Sequence, residues 1–556
     1  MKTKLHFYTS LLLFLFFSNL WGQGEGNNWY FGTYAGLTFN TSPPSILNDG
    51  RLATSEGCAS VSSKDGNLAF YTDGSIVYDA NHNIMPNGTG LFGNPSSTQS
   101  SVVCPKPGTY NYASKRFNNY YILTIEVLNG TSAGGNNGGV RYTEVDMTLN
   151  GGMGDVVTSQ KNIHLFGTTT MEGAGIAKHA NGCDYWFIGK PVGNNNIHTY
   201  HVSSTGVNTT PVVSSTGPVI NPGWGSIKAS PDNSFIGIAS NGSGANRINV
   251  YDFNNSTGAV TFKYNDVIGG YSLEFSPNSQ ILYSTILNNR NIYQYDLTTS
   301  TSANFRASRV TVATTANTIG YDMCGLQIAP DGKIYAALQQ ANRLGAIQNP
   351  DVLGVGCGYN DNEFTITGNN TNGTAMNVVL GLPAFPSFFI FPNELQYESA
   401  NYSVNQYFCN SDSITFKVSD VNAVQSVSWH IAPLNSNYNT TPDATSLEYT
   451  IPPPASGSYK ILSIVNYACF IDSLIDTINV NAVPIVNLGP DIDSCTNGSI
   501  LIDGTSNNVS AYLWNDATSL ATNSFNTTGQ YHLQVTDPLG CINSDTINIT
   551  VNEVPS

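Results

Sequence analysis

EGCASVSSKDGNLAFYTDGSIVYD, residues 56–79, decides the fold. It opens on a carboxylate and a glycine, runs into a short strand, turns at Asp65-Gly66, and returns through a second strand to Tyr78-Asp79. Asp-Gly at the turn reads as a hairpin, because glycine accepts the positive φ such turns need. The same plan recurs in EGAGIAKHANGCDYWFIGK from Glu172, GWGSIKASPDNSFIGIAS from Gly223, GGYSLEFSPNSQILYSTIL from Gly269 and DMCGLQIAPDGKIYAAL from Asp322. QSSVVCPKPG from Gln99, followed by NNYYILTIEV, is a more divergent copy. Successive copies stand mostly ~40 to 55 residues apart, the size of a four-stranded propeller blade.

Six blades follow from these copies. A seventh is assembled from both ends of the region, with GLPAFPSFFIF (381–391) as inner strand and NWYFGTYAGLTFN (28–40) as outer strands. Sharing a blade between the ends closes the ring and removes an exposed edge. Seven blades are favoured, with six or eight as alternatives. The Gly/Asn-rich stretch 129–139 reads as a long loop of the second blade.

After about Pro392 the pattern changes. Cys409, Trp429, Gly457-Ser458-Tyr459 and Cys469 are followed, in the same order, by Cys495, Trp514, Gly529-Gln530-Tyr531 and Cys541. Cys, Trp, Tyr and Cys in that order suit a two-sheet sandwich with one Trp buried between the sheets. The expected disulfides are Cys409–Cys469 and Cys495–Cys541, one per module. The fold class expected is therefore all-β: an N-terminal β-propeller and two immunoglobulin-like β-sandwich modules. The segments are 1–22 as signal peptide, 23–396 as propeller, 397–483 as the first module and 484–556 as the second.

Composition agrees with export. Lys2 and Lys4 precede the apolar run Leu11–Phe17, and Gly22 is a plausible cleavage point for a signal peptide. The run is well short of the ~20 residues a membrane span requires, and no later segment is apolar enough to cross. Charged residues are only 10% of the chain. Asn, Ser, Thr and Gly must keep such a surface wet, which suits turn-rich β-structure. A net charge of −16 attracts no phosphate backbone, so nucleic acid is not an expected partner. Nine cysteines fit an oxidising compartment. The pairing of Cys58, Cys104, Cys183, Cys324 and Cys357 stays open, and their odd number leaves at least one unpaired.

WYFGTYAGLTF, SEGCASVSSKDGNLAFYTDGSIVYD, MPNGTGLFGNPSSTQSSVVCPKPG and LGPDIDSC with TGQYHLQVTDPLGC resemble surface proteins of Bacteroidota. These are the gliding-motility-associated, PKD-domain-containing proteins exported by the type IX secretion system. The resemblance implies a propeller head, PKD or immunoglobulin-like spacers, and contact with secretion or cell-surface machinery at the outer cell surface. It also implies a C-terminal sorting domain, which the sequence to Ser556 does not contain.

Chemistry is sparse. Aligning the turn glycines Gly66, Gly182 and Gly332 makes Glu56, Glu172 and Asp322 equivalent, each ahead of an innermost strand. Three carboxylates around one channel mouth repel unless something positive sits between them. That points to a cation or polyhydroxyl ligand, with Ca²⁺ the expected ion because its ligands are oxygens. The structural alternative is that each carboxylate caps neighbouring amides. His198 and His201, three apart in a strand, face opposite sides and make no metal pair. No catalytic residue is assigned. The favoured function is a secreted, non-enzymatic protein that binds an extracellular protein or glycan. The alternative is an extracellular propeller hydrolase or lyase acting on carbohydrate or lactone through those carboxylates.

Overall fold

The computed structural model describes residues 24–127, 139–167, 170–220, 223–242, 247–315, 323–339, 342–390, 395–398, 407–418, 424–469 and 471–552. The expected signal segment and most of the 129–139 loop lie outside them. The chain divides into two compact units, one running to Pro392 and including 468–470, the other holding the remaining residues from Asn393 onward. No helix among the described residues is long and apolar enough to cross a membrane.

The first unit is a succession of antiparallel sheets, each built from strands close in sequence. A three-stranded sheet (Asn28–Phe31, Ala35–Thr38, Ser45–Leu47) comes first. Six larger sheets follow, beginning with the strands Ala59–Ser62, Ser101–Pro105, Thr170–Lys178, Ile227–Ala229, Ser272–Phe275 and Met323–Ile328. These first strands adjoin one another in order. They are buried on both faces, as in the unbroken burial of Ala59–Ser62 and Met323–Ile328. The outer strand Ile84–Thr89, in contrast, alternates with solvent.

One turn recurs between first and second strands. Gly66, Gly182, Asn233, Ser279 and Gly332 have φ of 76, 73, 57, 61 and 78°. Each donates its N–H to the carbonyl three residues back, at 2.8–2.9 Å. The repeat is thus a repeated turn, kept where SPDN and SPNS replace Asp-Gly.

The segment 377–384 ties the ends of the unit together. Gly325 N donates to Leu380 O at 2.8 Å, Leu380 N to Ser55 O at 3.1 Å, and Ala384 N to Cys58 O at 2.9 Å. Asn377 and Thr33 exchange both backbone hydrogen bonds at 3.0 Å. Over 381–390 the expected inner strand is instead a run with one isolated bridge, Cys58 to Pro383, and a 3-10 turn at Ser387–Phe389. Pro383 and Pro386 cannot donate to a ladder, which explains the loss of regular pairing.

The second unit holds two successive pairs of sheets. The strand order Leu395–Glu398, Ile414–Val418, Glu448–Ile451 accompanies Tyr407–Cys409, Ile471–Asn481, Gly457–Tyr467, Val424–Pro433. Then Ile500–Asp503 with Thr522–Phe525 accompanies Ile492–Cys495, Ile542–Asn552, Gly529–Thr536, Ala511–Trp514. Trp429 and Trp514 are buried in their respective cores. Trp514 packs with Ile502 and Phe525 of one sheet and Leu533 and Ile547 of the other.

The disulfide expectation is overturned. The bonds are Cys183–Cys469 and Cys409–Cys541, and Cys495 is an exposed thiol. Register gives the reason. Cys409 pairs in parallel with Asn481, at the far end of the eleven-residue strand Ile471–Asn481, whereas Cys469 sits in the turn before its near end. Cys495 pairs with Asn552, at the far end of the eleven-residue strand Ile542–Asn552, while Cys541 precedes its start. At ~3.3 Å per residue each expected pair is ~33 Å apart, far beyond the ~7 Å Cα limit for a disulfide. The Cys-Trp-Tyr-Cys order does not fix the pairing. The remaining first-unit cysteines, Cys58, Cys104, Cys324 and Cys357, are buried thiols.

Candidate functional site

The heads of the first strands approach so closely that side chains are excluded at some positions. A Cβ on Gly57 would lie 2.0 Å from Ser100 N, and one on Gly173 would lie 2.5 Å from Gly225 O. This is why a glycine follows each of Glu56 and Glu172. The carboxylates are left to fill the space between neighbouring sheets.

Thr98, just ahead of the strand Ser101–Pro105, is the hub. Its N–H and Oγ1 donate to Glu172 Oε2 at 3.2 and 3.4 Å, and its Oγ1 accepts from Gly225 N at 3.2 Å. Tyr271 Oη, from the head of the fifth large sheet, donates to Glu56 Oε2 at 2.8 Å. Glu172 is fully buried and Tyr271 nearly so. Burial pushes the Glu56 carboxyl up to about 7, against the hydrogen bonds of Tyr271 and Thr98 that lower it. Burial also drives the Tyr271 phenol far up, and the charges of Glu56, Cys324 and Glu172 add to this.

Glu56 and Glu172 are therefore brought into one network through Thr98 and Tyr271. Asp322 lies outside the described residues. Among the described residues no group of three or more His, Cys, Asp or Glu is placed to hold a metal ion. The donors that meet the two carboxylates are the protein's own.

A second buried polar cluster was not anticipated from the sequence. Lys228 Nζ donates to Glu274 Oε2, to Gln327 Oε1 at 2.7 Å and to Leu326 O at 3.2 Å. Glu274 also accepts from Ile328 N at 3.1 Å and Phe275 N at 3.0 Å. Lys228, Glu274 and Gln327 each stand five residues ahead of the turn positions Asn233, Ser279 and Gly332. The turn alignment that picks out the carboxylates would have found them too, since each interrupts an apolar strand with a polar residue. Beside them, Gln99, Ile176, Lys228, Glu274, Ile328 and Phe385 line a cavity of about 20 Å³, room for about one water.

His198 and His201 do face opposite sides. His201 Nε2 meets Asp184 Oδ2 at 3.0 Å beside Trp186, while the His198 ring packs on Phe166.

No protein-family model matches the chain, and no curated protein matches it. Solved structures of several β-proteins do match. A functionally unknown protein from Desulfotomaculum acetoxidans aligns at 11% identity over 64% of this chain and 99% of its own, with a TM-score of 0.36. An oligogalacturonate lyase in complex with manganese aligns at 13% identity over 57% and 84%, TM-score 0.33. The Myceliophteria thermophila Cps50 (Swd1) β-propeller domain aligns at 9% identity over 56% and 94%, TM-score 0.32. At such scores the likeness carries no argument, and the fold rests on this chain's own strands.

Proposed function

We propose that the chain is a secreted cell-surface binding protein. Its first unit is a seven-bladed propeller head that recognises protein or glycan, and its second is a stalk of two immunoglobulin/PKD-like modules. Export by a type IX-like route follows from the family resemblance. Seven blades are supported by the six larger sheets and by the three-stranded sheet joined to 377–384 at Thr33.

The observation that carries the reading is that the two buried carboxylates are already partnered. Glu56 and Glu172 are met by the protein's own donors, and the cavity alongside Lys228 and Glu274 has room for about one water. Recognition then falls to the outer surface. Trp224 is 41% exposed and precedes Gly225, which donates to Thr98. An exposed indole suits a sugar face.

The test is a glycan array and a panel of acidic polysaccharides and lactones, run on the whole protein. The expected result is binding without turnover, unchanged in Glu172→Gln and weakened in Trp224→Ala at unchanged Tm. Turnover abolished by Glu172→Gln would overturn it in favour of a hydrolase or lyase. One observation favours that second reading: a Glu56 carboxyl held near 7 has the proton affinity of a general acid.

A further inference from the structure

The bond Cys409–Cys541 belongs to a joint between the two sandwich modules. Cys409 lies opposite Asn481, the last residue of its neighbouring strand, and Asn410 N donates to Asn481 O at 2.9 Å. Asn481 opens the connecting run Asn-Ala-Val-Pro. That run is held on both sides: Val483 N donates to Asn410 Oδ1 at 3.0 Å, and Asn543 Nδ2 donates to Pro484 O at 2.9 Å. Cys541, buried in the turn beside Asn543, completes the joint covalently.

The second module repeats the upstream half of this joint. Cys495 lies opposite Asn552, and Thr496 N donates to Asn552 O at 3.2 Å. In sequence Asn552 opens Asn-Glu-Val-Pro, the same run with one residue changed. The position filled by the bonded Cys409 in the first module is filled by an exposed thiol in the second. The polarity is constant as well. The turn cysteines Cys469 and Cys541 bond toward earlier residues, and the strand cysteine Cys409 bonds toward a later one.

We propose that Cys495 is the upstream half of a further inter-module joint, and that its partner is the turn cysteine of another sandwich module of this kind. Two thiols lose two protons and two electrons to form the bond. A low-molecular-weight disulfide such as oxidised glutathione takes them and leaves as two thiols, by attack of one thiolate on a mixed disulfide. A lone exposed thiol with no such partner would have no reason to share the register, the following hydrogen bond and the linker sequence of Cys409.

The experiment extends the whole chain after Ser556 with a second copy of residues 484–556, expressed under a glutathione redox buffer. Molecules are mapped by non-reducing digestion, and those retaining Cys409–Cys541 are scored as folded. The expected result is loss of Cys495 from the alkylatable thiols and a cross-linked peptide joining it to the added copy of the Cys541 turn. Cys495→Ser in the same chain should return the added turn cysteine to the alkylatable pool. The proposal is overturned if Cys495 stays alkylatable, carries only glutathione, or bonds to Cys495 of a second molecule while Cys409–Cys541 is intact.

Discussion

Glu56 should make the first unit lose stability as pH rises. In the fold its carboxyl titrates at about 7, against 4.5 ordinarily, because burial penalises the charged form. A carboxyl raised in this way adds stability that is complete below pH 4.5 and lost as pH climbs through 7. The difference corresponds to about 3 kcal/mol. Glu56→Gln removes the titration while leaving a carbonyl oxygen to accept from Tyr271 Oη. For a unit of this size, unfolding entropy near 2 cal/mol/K per residue converts about 3 kcal/mol into ~4 °C. Weakening of one hydrogen bond would subtract about 1 kcal/mol at every pH. Calorimetry of the whole protein and the variant from pH 4.5 to 8 should show two curves that separate as pH rises. The variant should melt a few degrees higher at pH 8 and no higher at pH 4.5. Parallel curves would show that Glu56 is ionised in the fold like any surface carboxylate, and the buried network would lose its basis.

Other consequences can be checked with the same melts. Gly57→Ala puts a Cβ 2.0 Å from Ser100 N and should abolish soluble folding of the first unit, whereas Gly332→Ala, with φ of 78° but open space, should cost about 1 kcal/mol. Lys228→Met strands the buried Glu274 carboxylate and should cost about 3–5 kcal/mol, read as a lower urea midpoint. EDTA followed by Ca²⁺ should leave Tm unchanged, since Thr98 and Tyr271 already donate to Glu172 and Glu56; a shift that Glu56→Gln removes would establish a cation there.

What could be read from the sequence was local. Asp65-Gly66, Asn181-Gly182 and Asp331-Gly332 announce hairpins because one backbone conformation admits few residues, and all three turns are present. The Cys-Trp-Tyr-Cys order places Trp429 and Trp514 in cores, and both indoles are buried. Glu56 and Glu172 were reachable because the turns fix their places in the repeat. Thr98 was not, since it lies just ahead of the divergent copy and acts across sheets, reaching Glu172 and Gly225 through contacts of long sequence separation. The cysteine pairing was hidden for a related reason. Spacing along the chain says how far apart two cysteines are in sequence, but parallel pairing of Tyr407–Cys409 with Ile471–Asn481 sends Cys409 to the opposite end of the sheet from Cys469.

That pairing also dictates what reduction should do. A disulfide inside a sandwich would brace its core, so reducing it would loosen Trp429 or Trp514. Cys409–Cys541 instead spans a sequence separation of 132 and joins one module to the next. Each module keeps its own core: Phe416 with Trp429 in the first, Phe525 and Leu533 with Trp514 in the second. The double variant Cys409→Ala/Cys541→Ala should therefore leave both indoles buried, with unchanged tryptophan emission and near-UV dichroism. The loss should fall on the connection at 481–484, where the hydrogen bonds of Asn410 and Asn543 would have to hold alone. Limited proteolysis should cut there faster in the variant than in the parent, at equal Tm of the module cores. A red-shifted tryptophan spectrum without faster cleavage at 481–484 would mean that the bond braces a core after all, and the reading of these cysteines as joints would fail with it.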